Sequence, residues 1–210
     1  VTRVSNNTFE NCKFDGGYSG AFLYGTSTEG TNNENKFISN EFNNWYRYGF
    51  YTYNNFNEPD YIRNTMHRLD ARSGGASTSS TIYFWYMSQN DDGGILFDGN
   101  IMTDAATNTT STPRVYGLYL NDVYGNGYSG RSSRGNLIMN NIMTRFNNDD
   151  DAWGIYSYFG AYYRIFNNTI NLEGIEARSF DDITCVENYW TRYQFDLHNI
   201  ILSAHGTDQA

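Results

Sequence analysis

Asn35-Lys36-Phe37-Ile38-Ser39-Asn40-Glu41-Phe42 decides the fold, because its pattern returns as Tyr61-Ile62-Arg63-Asn64-Thr65-Met66 and as Arg164-Ile165-Phe166-Asn167-Asn168-Thr169-Ile170. In each stretch a short apolar run leads to an asparagine, and an apolar residue stands two places further on. Extended along the chain, the pattern marks Asn7, Asn40, Asn64, Asn100, Asn141, Asn168 and Asn199, followed by Phe9, Phe42, Met66, Met102, Met143, Ile170 and Ile201. The asparagines are 33, 24, 36, 41, 27 and 31 residues apart. Recurrence at that interval is the signature of a repeat architecture, in which each unit buries its apolar face only against its neighbours. Unequal intervals belong to loops.

The strand pattern says which repeat this is. A second motif runs in step with the first, a small residue followed by an apolar residue and then aromatics one residue apart: Gly20-Ala21-Phe22-Leu23-Tyr24, Gly49-Phe50-Tyr51-Thr52-Tyr53, Thr81-Ile82-Tyr83-Phe84-Trp85, Gly117-Leu118-Tyr119-Leu120-Asn121 and Gly154-Ile155-Tyr156-Ser157-Tyr158. Alternation over about five residues, bounded by Gly, Asn, Asp and Ser, reads as strand and not as helix. With 28 Asn and 20 Gly against 2 Lys, the composition favours bends over helix interiors. The expected fold is all-β, a right-handed parallel β-helix of six to seven turns. In such a coil an asparagine held at the same bend of every turn lies about 4.8 Å from its copies. Its amide can then donate to one neighbour and accept from the other, forming a ladder.

These stretches resemble the right-handed parallel β-helix proteins of the pectin-lyase-like superfamily, over nearly the whole chain. The resemblance implies the fold together with a choice of functions, since that superfamily holds polysaccharide lyases, glycoside hydrolases, phage tailspikes and secreted bacterial surface proteins. Fold alone does not select among them. Residues 1–210 read as one β-helix domain, taken as a segment of a longer secreted or filament-forming protein, and the low Lys and high Asn, Tyr, Ser and Thr content resembles secreted bacterial β-helices. An extracellular or cell-surface location is therefore expected.

Charge narrows the partners. A net charge of −9 disfavours nucleic acid, whose binding rests on basic patches. It disfavours an anionic polysaccharide as well. No run of 18 apolar residues is present, so no membrane span is expected. Cys12 and Cys185 fall about five turns apart, far beyond disulfide reach, and are expected as buried free thiols.

Lyase chemistry needs acidic side chains on adjacent outward positions to hold Ca²⁺, and hydrolase chemistry needs paired carboxylates. Here the outward positions hold rings instead. The acidic runs Asp91-Asp92, Asp149-Asp150-Asp151 and Asp181-Asp182 lie between strands and read as solvated turns, with a surface Ca²⁺ site at Asp149–Asp151 as the alternative. No catalytic residue and no cofactor is assigned. The candidate ligand-binding residues are two rows of rings along the coil, Phe22, Tyr51, Tyr83, Tyr119 and Tyr156 beside Tyr24, Tyr53, Trp85 and Tyr158, on which sugars could stack by their apolar faces. The leading reading is an extracellular structural or adhesive β-helix whose aromatic rows bind glycan or pack on another copy, with end-to-end or side-by-side self-association. The alternative, implied by the resemblance, is a polysaccharide lyase or glycoside hydrolase. Residues 86–94 and 121–135 are expected as long loops able to fold over the rows.

Overall fold

The computed structural model describes residues 5–25, 32–53, 56–68, 81–90, 94–105, 114–124, 135–146, 151–175 and 183–206. The chain coils as a parallel β-helix with three faces. The first face carries Thr8–Glu10, Lys36–Ile38, Asp60–Ile62, Leu96–Asp98 and Asn136–Met139, continued by the C-terminal parts of the long strands Ala152–Phe166 and Ile183–His198. Lys13–Asp15, Glu41–Asn43, Thr65–His67, Ile101–Thr103, Ile142–Thr144, Thr169–Ile175 and Ile201–Gly206 form the second. The third is built from Ser19–Tyr24, Tyr48–Tyr53, Thr81–Asn90, Arg114–Tyr124 and the N-terminal parts of the two long strands. Every pairing between successive rungs is parallel, and the register keeps like residues in single files.

Those files explain why the sequence alternates. On the first face Phe9, Phe37, Tyr61, Phe97, Ile138 and Ile165 point inward; on the second Phe14, Phe42, Met66, Met102, Met143 and Ile170 do. Phe50, Trp85, Leu118 and Ile155 complete the core from the third face, and all four are fully buried. Rings stack along the files at the strand spacing, Phe9 on Phe37 at 4.8 Å and Phe14 on Phe42 at 4.7 Å. Removing each such side chain from water contributes about 1.5–3 kcal/mol.

The bend between the first and second faces is held by the asparagine ladder. Asn40 donates its backbone N–H and its side-chain amide to Asn64 Oδ1, both at 3.0 Å. Asn64 does the same to Asn100, Asn100 to Asn141, and Asn141 to Asn168. The second amide hydrogen of each goes to a carbonyl of the preceding rung, for example Asn100 to Tyr61 O at 2.8 Å. All five are buried.

The two end members of the expected ladder lie elsewhere. Asn7 pairs with Asn35 Oδ1, with the same geometry, at the bend that enters the first face. Asn199 precedes the ladder position, which Ile200 occupies, since Thr169 registers with Ile201. It belongs to the adjacent file of left-handed residues, Asn11, Ser39, Arg63, Gly99, Asn140, Asn167 and Asn199, with φ between 49° and 66°. Asparagine and glycine suit that conformation, which is why paired asparagines mark the bend. Cys12 stands at the ladder position of the first rung, where its N–H donates to Asn40 Oδ1 at 2.9 Å. It is therefore half-buried, a correction to the expectation, whereas Cys185 is buried; neither forms a disulfide.

Candidate functional site

The aromatic face is the outer surface of the third sheet, and its register is set by glycine. Gly20, Gly49, Gly117 and Gly154 occupy one file at the corner of the coil, where a Cβ on Gly154 would lie 2.5 Å from Ile170 Cγ2 and 2.6 Å from the Cys185 carbonyl oxygen. In the third rung Phe84 takes that place, stacked on Phe146 at 5.0 Å. This shifts the expected register by three residues: Tyr83 aligns with Tyr48, Trp85 with Phe50 and Tyr86 with Tyr51. Trp85 is consequently a fully buried core residue and not part of an outward row. Tyr83 is outward but belongs to another row. Residues 86–90 and 121–124, expected in loops, are strand, and the rest of those two segments is described only for 94 and 135.

Three outward files result. The first is Tyr48, Tyr83, Tyr116 and Trp153, with ring centroids 5.2, 5.1 and 4.4 Å apart and planes within 13° of parallel. The second is Phe22, Tyr51, Tyr86, Tyr119 and Tyr156, with centroids 4.9 to 5.1 Å apart. In the third, Tyr24 stacks on Tyr53 at 5.5 Å and Tyr158 on Tyr189 at 5.3 Å, with Ser88 and Asn121 on the two rungs between. Sequence reading missed Tyr48, Tyr86, Tyr116 and Trp153. The signal was present as an aromatic directly before glycine in Tyr48-Gly49, Tyr116-Gly117 and Trp153-Gly154.

Parallel rings about 5.1 Å apart in centroid, in contact at roughly 3.5 Å between planes, must tilt by about 45° to the coil axis. From the third rung on the first and second files tilt in opposite senses, so Tyr83 meets Tyr86 at 84° and Tyr116 meets Tyr119 at 87°, whereas Tyr48 and Tyr51 lie within 17° of parallel and Tyr51 meets Tyr86 at 65°. The result is a herringbone, the edge-to-face arrangement that ring quadrupoles favour. Ring faces are thereby spent on other rings, and Tyr116 and Trp153 retain only 9% and 6% exposure. What faces outward along these files is ring edges with their hydroxyls.

Burial raises the phenol pKa values of the first and second files, with neighbouring phenols adding to the effect: Tyr51 and Tyr83 are pushed up to about 12, and Tyr116 and Tyr119 are raised further. The face is neutral across the physiological range. Charge sits at its two ends. The Arg47 guanidinium lies 5.1 Å from the Tyr48 ring centre and donates to Tyr18 Oη at 3.2 Å. At the other end Trp153 Nε1 donates to Glu187 Oε2 at 2.6 Å.

Among the described residues no three His, Cys, Asp or Glu side chains come together in a group that could hold a metal ion. Asp149 and Asp150 of the expected Ca²⁺ site lie outside the described residues, as do Asp91, Asp92, Asp181 and Asp182. Asp151 receives Arg114 Nε at 3.0 Å. His67 lies 3.3 Å from Glu41, whose carboxyl is held down to about 2 by hydrogen bonds from Asn43 first and then Lys13. No family model matches this chain, and neither a curated protein nor a solved structure matches it.

Proposed function

We propose that this chain is an extracellular structural or adhesive β-helix module whose aromatic face contacts a neutral glycan. The observation that carries the reading is the herringbone itself: two adjacent files of outward rings crossed edge to face over three successive rungs, neutral and fringed with tyrosine hydroxyls. A surface this rich in phenol edges offers both apolar contact and hydrogen bonds, the combination that tyrosine brings to interfaces. With a net charge of −9 over the chain, a neutral polymer meets no long-range repulsion.

A glycan array read together with a reducing-end assay tests this on wild type and on Tyr51→Phe/Tyr86→Phe/Tyr119→Phe. The triple variant keeps the rings and removes three hydroxyls, so its thermal melt should match wild type within a few degrees. Weaker glycan retention without release of sugar ends supports the proposal. Release of reducing ends points to hydrolysis. Concentration-dependent light scattering with no glycan retained assigns the face to a second copy and overturns the glycan reading.

A further inference from the structure

One corner of the aromatic face breaks the rule that rings cover one another. One residue beyond the third file the backbone turns through Asp122, Phe159 and Trp190, with φ of 53°, 52° and 62°. Asp tolerates the left-handed region; a bulky aromatic there is an outlier that costs stability. Burial does not offset that cost at Trp190, which is 66% exposed, beside Tyr189 at 45%. A strained residue that gains little from packing is a marker of function.

The surrounding rings hold the indole without covering it. Phe159 meets Trp190 edge to face at 5.4 Å and 73°, and is itself fixed edge to face on Tyr158 at 4.5 Å. Tyr189, stacked on Tyr158 at 5.3 Å, lies 6.0 Å from Trp190 with the planes 27° apart, an offset stack that overlaps only part of the indole. On the inner rungs ring faces are shared between neighbours; on the last described rung of this face, as at Phe22 and Tyr24 on the first, a ring stands open, and here it is an indole at a left-handed bend.

We infer that Trp190, with Phe159 and Tyr189, forms a subsite for one pyranose unit of a neutral glycan, the polarised C–H bonds of the sugar resting on the negative face of the indole. Two carboxylates belong to its surroundings, Glu187 within the same strand and Asp122 two rungs below on the same bend. An anionic sugar is disfavoured there, and a polymer leaving the subsite meets the hydroxyl edges of Tyr156 and Tyr119. This inference rests on the glycan-contact reading above.

The chain carries its own probe. Of its four tryptophans, Trp45 and Trp85 are fully buried and Trp153 is 6% exposed, leaving Trp190 as the one open to solvent. Titration with cellohexaose, xylohexaose and mannohexaose, followed by acrylamide quenching of tryptophan emission, should show one quenchable component that at least one hexaose protects. Trp190→Asn places a residue suited to left-handed backbone at the bend, so it should melt at or above the wild-type temperature while its hexaose affinity falls about tenfold or more. Trp190→Tyr should retain part of the affinity. If hexaoses bind and Trp190→Asn binds them equally well, the subsite is wrong while the broader reading stands. Failure of wild type to bind any hexaose removes both, and quenching protection that rises with protein concentration alone gives the corner to a second copy and overturns the inference.

Discussion

Replacing Asn100 by Leu should destabilise the coil by about 3–4 kcal/mol, and the figure follows from the partners that would be stranded. Asn100 Oδ1 accepts both the backbone N–H and the side-chain amide of Asn64, each at 2.9 Å. Its own amide donates to Tyr61 O at 2.8 Å and to Asn141 Oδ1 at 3.1 Å. Leucine fills similar volume but leaves two donors of Asn64 without an acceptor in a site of zero exposure. Each orphaned buried donor costs roughly 1–3 kcal/mol. The two acceptors lose less, since Asn141 Oδ1 still receives the Asn100 N–H at 2.8 Å. Added apolar burial offsets part of the loss.

A total stability of about 5–15 kcal/mol makes a change of that size easy to read in a urea melt followed by circular dichroism, with the slope checked for altered cooperativity. Asn121→Leu is the matched control: the same substitution on the outer surface, where the hydrogen bonds to Ser88 Oγ at 3.2 Å and to Tyr86 are lost and water can replace them. Its cost should stay under about 1 kcal/mol. Equal midpoints for the two variants would refute the idea that the ladder holds the rungs together.

Gly154→Ala should cost about 1–3 kcal/mol in a thermal or urea melt, because its Cβ would meet Ile170 Cγ2 at 2.5 Å and a backbone oxygen at 2.6 Å; an unchanged melt would mean the corner gives way freely. Acid should weaken the fold through Glu41. Its carboxyl is depressed to about 2, so the stability it supplies is present above its ordinary value near 4.5 and disappears as pH falls toward 2. Glu41→Gln should flatten that part of the stability profile by less than about 1 kcal/mol, the group being exposed. At the alkaline end Tyr51 and Tyr83 ionise near 12. Because the unfolded chain loses those protons near 10, stability should decline from about pH 10 to 12, and absorbance titration should show a phenol class ionising late that merges with the normal class in urea.

Much of this was legible from residue order, and the errors have identifiable causes. Asn40, Asn64, Asn100, Asn141 and Asn168 could be read because the ladder needs a carboxamide at that bend and an inward apolar residue two places on. Asn7 and Asn199 meet the same spacing at neighbouring bends, where left-handed backbone or a local Asn35 contact selects asparagine for a different reason. The aromatic register was readable wherever glycine marked the corner, and failed at the third rung because Phe84 fills the glycine site. That single exchange sent Trp85 into the core and brought Tyr86 into the second file. The first outward file escapes a motif that runs forward from glycine, because Tyr48, Tyr116 and Trp153 stand just before it.

The same stacking that steadies the aromatic face limits what it can recognise. A sugar needs an open ring face, yet a file of rings at the strand spacing presents its faces to the rungs above and below. Lengthening the rows therefore adds hydroxyl edges, which bind polar polymers with little discrimination, and adds no stacking sites. Discrimination has to arise where the file is interrupted, either by small residues such as Ser88 and Asn121 or by a bend that sets a ring edge to face with its neighbour. Trp190 is such a ring, and its left-handed backbone is the structural cost of keeping it out of the stack.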